Sequence, residues 1–156
     1  QVGDNIPLDT ERGYHLMFPT STSDLLSRPV VNGESSFVLS PMQTGIRMTA
    51  QVEFGGLDAK PDYSKIRSLM PSAKRMLPDI ELKEESVWMG CRPSLPDSLP
   101  VIGRSKRNSR VYYAFGHQHL GMTLGAVTGL LVSQLVCGEK SFLDTAPYAP
   151  DRFRYI

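Results

Sequence analysis

Between Gly45 and Phe54 apolar and polar residues alternate without a break: Ile46, Met48, Ala50, Val52 and Phe54 against Arg47, Thr49, Gln51 and Glu53. Successive side chains of a strand point to opposite faces, so this run needs a core on one side and water on the other. Gly13 to Phe18 repeats the pattern, with Tyr14, Leu16 and Phe18 on one side. Pro29 to Val31 reads as a short strand, Asn32-Gly33 as a hairpin turn and Ser36 to Ser40 as the return strand. Together they predict an antiparallel meander packed on one face, with Val52 and Phe54 among its inward residues.

Gly55-Gly56 ends that run, and Asp62 is placed to cap a helix reaching about Met76. Ile66, Leu69, Met70, Ala73 and Leu77 share one face of it, and Pro71 must kink or split it. Leu82 to Met89 reads as another strand. Cys91 to Arg110 is rich in proline and reads as a long connection with little regular structure, and Val111 to Phe115 as a short strand buried on both faces. Gly121 to Val136 predicts a helix with Gly138 as its stop. No charge occurs from Leu120 to Gly138, but Thr123, Thr128, Ser133 and Gln134 make it a poor membrane span, so a helix buried against a sheet is expected. Ser141 to Ile156 reads as an irregular tail. Strands first and the longest helix last argue for an α+β fold.

The formal net charge of +1 in 156 residues lacks the basic excess of a nucleic-acid reader, and no nucleic-acid partner is expected. Two cysteines, Cys91 and Cys137, form neither a disulfide framework nor a zinc spacing. Reduced cysteines fit a cytoplasmic setting. The sequence opens on Gln1 with no signal-peptide pattern, as in a chain cut from a longer protein or processed from one.

Two stretches carry candidate chemistry. Arg92 follows a strand and precedes Pro93, which restricts the local backbone. A guanidinium held by rigid neighbours can present its planar fork to a carboxylate; the alternative is a structural arginine pairing with Asp97 or capping a loop carbonyl. The second is the turn Gly116-His117-Gln118-His119-Leu120-Gly121 between a strand and a helix. Glycines let backbone approach a ligand, and the unpaired N–H groups of a helix start favour negative charge such as a phosphate, an enolate or a reduced flavin. A plain connection is the other reading of that turn. His117 and His119 alone do not make a metal site, and no metal is expected. Arg47 and Glu53, on the polar face of the clearest strand, read as solvated charges, with a pair, or Arg47 facing a ligand, as the alternatives. The basic run Arg104 to Arg110 reads as a solvated loop, with a contact to anionic lipid as the alternative.

Taken together, Trp88-Met89-Gly90-Cys91-Arg92-Pro93 through Pro100-Val101-Ile102-Gly103, then Gly116-His117 through Gly129, resemble the late motifs of the FAD-dependent amine oxidoreductases, the group of D-amino-acid dehydrogenase, glycine oxidase and D-amino-acid oxidase. Glu11-Arg12-Gly13-Tyr14-His15 and Glu53-Phe54-Gly55-Gly56 match as well. The resemblance runs over nearly the whole chain and is nearest to the bacterial D-amino-acid dehydrogenases. It implies an antiparallel substrate-domain sheet with a helix in residues 1–90, and the C-terminal strand and helix of a Rossmann-like FAD-binding domain in residues 91–156. It implies Arg92 and His119 at the substrate, and Gly90, Gly116, His117, Gln118, Leu120, Gly121, Met122 and Thr123 at the flavin. The implied substrate is a small D-amino acid or a secondary amino acid. The implied acceptor of its hydride is FAD, held by the full-length protein, with a peripheral contact to the inner face of a membrane or to a quinone left open. The GxGxxG turn that would hold the FAD diphosphate is not in this sequence. The resemblance therefore implies an incomplete fold whose missing half is the N-terminal part of the same enzyme, and a chain inactive alone.

Overall fold

A computed structural model describes residues 2–153. Seven strands form in order: β1 (Asp9–Met17), β2 (Val30–Asn32), β3 (Phe37–Met42), β4 (Gly45–Glu53), β5 (Ser86–Ser94), β6 (Val101–Arg104) and β7 (Tyr112–Phe115). Three α-helices accompany them: α1 (Ser64–Arg67), α2 (Met70–Met76) and α3 (Gly121–Cys137). Pro71 does split the helical stretch, and Asp62 Oδ1 accepts the Ser64 N–H at 3.0 Å just ahead of it. The expected tail consists of short 3-10 turns at Ala146–Tyr148 and Pro150–Phe153, and residues 154–156 lie outside the described residues.

The chain divides into two compact units. One is Arg12–Cys91; the other joins the residues up to Glu11 with those from Arg92 onward.

Within Arg12–Cys91 the β2–β3–β4 hairpins are antiparallel, with Phe37 opposite Ala50 and Leu39 opposite Met48. The full sheet order is β2-β3-β4-β1-β5, so β1 lies beside β4 rather than beside β2, and the simple meander holds only for β2 to β4. Tyr14, Leu16, Phe37, Leu39, Ile46, Met48 and Ala50 all face one way and are buried against Ile66, Ala73 and Ile80 of the helical segment. Each such side chain contributes about 1.5–3 kcal/mol on burial, which is why the alternation dictates the pairing register.

The alternation in β4 stops at Gln51. That residue has φ 67°, and the β1–β4 register slips between Gly13 and Tyr14, so Gln51 is the extra residue of a β-bulge. Every position beyond it changes face. Val52 and Phe54, expected inward, are exposed instead, and Glu53 turns in toward Tyr14 and Arg12. Arg47 therefore does not pair with Glu53, whose partners are Arg12 and Lys65.

In the other unit β6 and β7 form an antiparallel pair, with Val101 opposite Phe115 and Gly103 opposite Tyr113. Leu95, Val101 and Phe153 are its buried core, with Ile6, Tyr113 and Phe115 against them. Cys91–Arg110 is thus more regular than its prolines suggest: β5 runs on to Ser94, and the apolar pair Val101-Ile102 makes a strand of its own. Strand β7 is half-buried rather than buried on both faces, since Ala114 is open and its neighbours are only partly covered. Helix α3 ends as expected, on Gly138 at φ 70°. It is not the buried helix expected from its composition, because only Thr128 and Leu131 are covered among the described residues. None of the helices among the described residues is long and apolar enough to cross a membrane.

Candidate functional site

Arg92 sits on β5 in the second unit, half-buried. Its Nη1 is shielded from solvent and has no hydrogen-bond partner among the described residues. The alternative partner, Asp97, is taken: Arg152 Nε donates to Asp97 Oδ2 at 2.7 Å and Arg152 Nη2 to Oδ1 at 3.2 Å. That fork holds the Asp97 carboxyl below its usual range, chiefly through the Arg152 hydrogen bond and against the effect of burial. Arg92 is thus left with a donor for something else. A buried donor without an acceptor costs on the order of 1–3 kcal/mol, which an anionic ligand would recover.

The turn from Gly116 to Gly121 lies against β5. Gln118 N–H donates to Pro93 C=O at 3.2 Å. Arg92 stands one residue from that bond on the strand, and His119 one residue from it on the turn. Gly116 has φ 84°, and a Cβ there would sit 2.5 Å from Leu95 Cδ1, so no larger residue fits without displacement. Gln118 takes φ 49°, rare for a residue with a side chain, and its Nε2 is a buried donor without a partner. Left-handed residues held by their surroundings gather at functional sites.

Helix α3 starts at Gly121 with no side-chain cap on its first turn. The N–H groups of Gly121, Met122 and Thr123 have no partner within the helix, because the first bond in it is Leu124 N–H to Leu120 C=O at 2.8 Å. Gly121 itself leaves room, its nearest neighbour to a Cβ being His117 Cβ at 3.8 Å. An uncapped 17-residue helix presents partial positive charge to whatever lies before it.

The two histidines part ways. His117 Nε2 lies 3.0 Å from Thr128 Oγ1 on α3, and burial pushes its pKa down, so it braces the turn in the neutral form. His119 Nε2 lies 3.1 Å from Glu11 Oε2 on β1. No group of three or more His, Cys, Asp or Glu able to hold a metal ion occurs among the described residues. Glu11 had been only part of a matching motif; nothing in its local sequence signals that it reaches a residue 108 positions away.

In the first unit Gly90 lies under the Trp88 ring, and a Cβ there would fall 2.0 Å from Trp88 Cη2. The ring in turn stacks on His15 with centroids 5.3 Å apart. Glycine at position 90 is therefore required by its own neighbour. Cys91 and Cys137 are both exposed free thiols.

These donors share a character: an unpartnered Arg92 Nη1, a stranded Gln118 amide N–H and an uncapped helix start. They suit a small carboxylate beside a planar group that gains negative charge. The model of the family described as "FAD dependent oxidoreductase" (DAO) matches residues 1–135 of the chain. The chain belongs to this family. Among curated relatives, it is 37% identical over 156 residues to a D-amino-acid oxidase of Bradyrhizobium diazoefficiens, covering 97% of this chain and 37% of that protein. It is 28% identical over 152 residues to a glycine oxidase of Pseudomonas putida, covering 96% of this chain and 41% of that one. Among solved structures, a glycine oxidase of Geobacillus kaustophilus superposes with a TM-score of 0.82 at 26% identity, over 97% of this chain and 41% of that one. The chain thus spans about two-fifths of the length of these DAO-family relatives.

The family's cofactor is FAD, and the donor set fits a flavin ring. The Gln118 amide and the first-turn N–H groups of α3 are unmatched donors, and Gly121 leaves room beside them.

Proposed function

We propose that this chain supplies the substrate grip and the ring-contacting turn of an FAD-dependent oxidoreductase that oxidatively deaminates D-amino acids. The flavin, when bound, accepts at N5 the hydride that leaves the substrate α-carbon; the imino acid formed hydrolyses to a keto acid and ammonia. The observation that carries the reading is Arg92, a half-buried arginine whose Nη1 lacks an acceptor and which lies beside a strained turn leading into an uncapped helix.

In this reading Arg92 grips the substrate carboxylate and fixes the α-carbon, and His119 lines the same pocket. Gly116, His117, Gln118, Leu120, Gly121, Met122 and Thr123 would hold the ring, largely through backbone N–H groups. The helix start steadies negative charge at the ring's N1 and C2 carbonyl. Orientation, worth up to several kcal/mol in such reactions, is the protein's main contribution. Rather than a single cut at residue 90, Arg12–Cys91 belongs to the substrate-binding domain and the residues up to Glu11 with those from Arg92 onward to the FAD-binding domain, completed by segments that the relatives carry outside this span. A second reading, an oxidase of glycine or of secondary amino acids, is favoured by the glycine oxidases among the relatives.

The test is a substrate panel on the full-length enzyme, read as ammonia and keto acid, with peroxide and dye reduction followed in parallel. D-amino acids turned over well ahead of glycine and sarcosine support the first reading, and the reverse order the second. No turnover of any amine overturns both.

A further inference from the structure

A hydride can leave the α-carbon productively only if the nitrogen offers a lone pair to form the C=N bond. A free amino acid at neutral pH carries an ammonium group and has none. Something must take that proton.

The Glu11–His119 pair has the required geometry. Glu11 is on β1 with its side chain only 15% exposed, and His119 is on the turn. A carboxylate only accepts, so the hydrogen between Nε2 and Oε2, 3.1 Å apart, belongs to the imidazole. In the neutral ring that leaves the lone pair on Nδ1. Arg92 on the adjoining strand and His117 on the same turn are two further polar groups to weigh. Burial disfavours the charged form of His117, whose partner Thr128 is a hydroxyl that cannot balance an imidazolium, and a guanidinium cannot accept a proton. The Gln118–Pro93 hydrogen bond keeps His119 and Arg92 one residue either side of a common point. A ligand whose carboxylate met Arg92 would lie beside the turn that carries His119.

The geometry points to His119 as the proton acceptor for the substrate ammonium, with Glu11 as the residue that positions it. The N–H bond of the ammonium breaks and an Nδ1–H bond forms. The imidazolium is balanced by the Glu11 carboxylate, and the freed nitrogen lone pair becomes the second C–N bond as the α-hydrogen leaves with its electrons. Glu11 acts through His119 and touches no substrate. This assignment rests on the amino-acid-oxidising reading above.

The experiment is anaerobic bleaching of the bound flavin in the full-length enzyme at saturating amino acid, followed in a stopped-flow from pH 6 to 10. The wild type should speed up with pH along one acid limb. In His119→Gln the rate at neutral pH should fall about 10²-fold, as for loss of a general base. That deficit should close as the pH rises and the substrate deprotonates unaided. In Glu11→Gln the rate at neutral pH should fall in the same direction by a smaller factor, since the ring loses the carboxylate that positions and balances it. Glu11→Asp should restore it in part. Binding of a carboxylate that has no amine should be unchanged in the two Glu11 variants, and unchanged flavin content reports that all three fold. A His119→Gln deficit constant across the pH range, or a Glu11→Gln profile superimposed on the wild type, overturns the assignment while leaving the reaction intact. A wild type that oxidises no amino acid overturns both.

Discussion

Arg12 Nη1 and Glu53 Oε2 meet 3.4 Å apart because Gln51, two residues earlier, is one residue too many for the ladder. The bulge turns Glu53 inward, where it also accepts from Tyr14 Oη at 2.5 Å and Lys65 Nζ at 3.0 Å. Arg12, only 1% exposed, reaches on to Ala59 C=O at 2.7 Å. Gly55 makes room for it, since a Cβ there would lie 2.6 Å from Arg12 Nη1. One extra residue has turned a strand end into a buried polar joint that ties β1, β4 and the Gly55–Asp62 loop together.

Arg12→Met should therefore destabilise the protein by about 3 kcal/mol, the scale for stripping one partner from a buried ion pair. Urea unfolding followed by circular dichroism would measure it; a loss below about 0.5 kcal/mol would show that the joint carries no weight.

Gln51→Gly should stabilise by about 1 kcal/mol. It relieves a left-handed conformation in a residue with a Cβ and removes a buried amide oxygen that has no partner. A lower melting temperature would mean that Gln51 has an acceptor role the fold depends on.

Strands β1 to β4 and β7, the split helix and the glycine-stopped α3 were legible, because periodicity and turn chemistry are local, whereas β6 was hidden in a stretch whose prolines read as irregular. Val52 and Phe54 were not, because a bulge depends on what β1 needs opposite, and nothing near Gln51 announces it. The exposure of α3 was misread for a related reason: an uncharged helix states that it wants cover, not what provides it. Arg92 was legible as an unusual arginine only through its setting, and the competition with Asp97 was decided by Arg152, 55 residues from that aspartate. Glu11 was the least legible of all, since its partner is on the far side of the sequence.

Gly90→Ala should push the Trp88 ring off His15, since the added methyl and ring Cη2 cannot coexist at 2.0 Å. Trp88 is the single tryptophan and half-exposed, so the change is readable as a red shift of its emission, with a cost of about 1 kcal/mol. An unshifted spectrum would contradict the contact.

Acid should weaken the fold in a stated window. The carboxyls of Glu53, Asp4 and Asp97 are all held low, led by hydrogen bonds from Tyr14, Ser105 and Arg152 respectively. A carboxyl lowered in the folded state adds stability that is present above its ordinary range and is lost as pH falls through the folded value. Melting temperature should thus hold down to about pH 5 and then drop, less steeply in Asp97→Asn. A flat acid profile in the wild type would contradict these contacts.

The central claim is that Arg92 grips the substrate carboxylate beside the flavin, and one titration tests it most directly. A small carboxylate without an amine is added to the oxidised full-length enzyme, wild type and Arg92→Ala, and binding is read from the perturbed flavin spectrum. Loss of two charge-assisted hydrogen bonds should raise Kd by about 10²-fold or more, with flavin content unchanged. Equal Kd values in the two proteins would contradict the account.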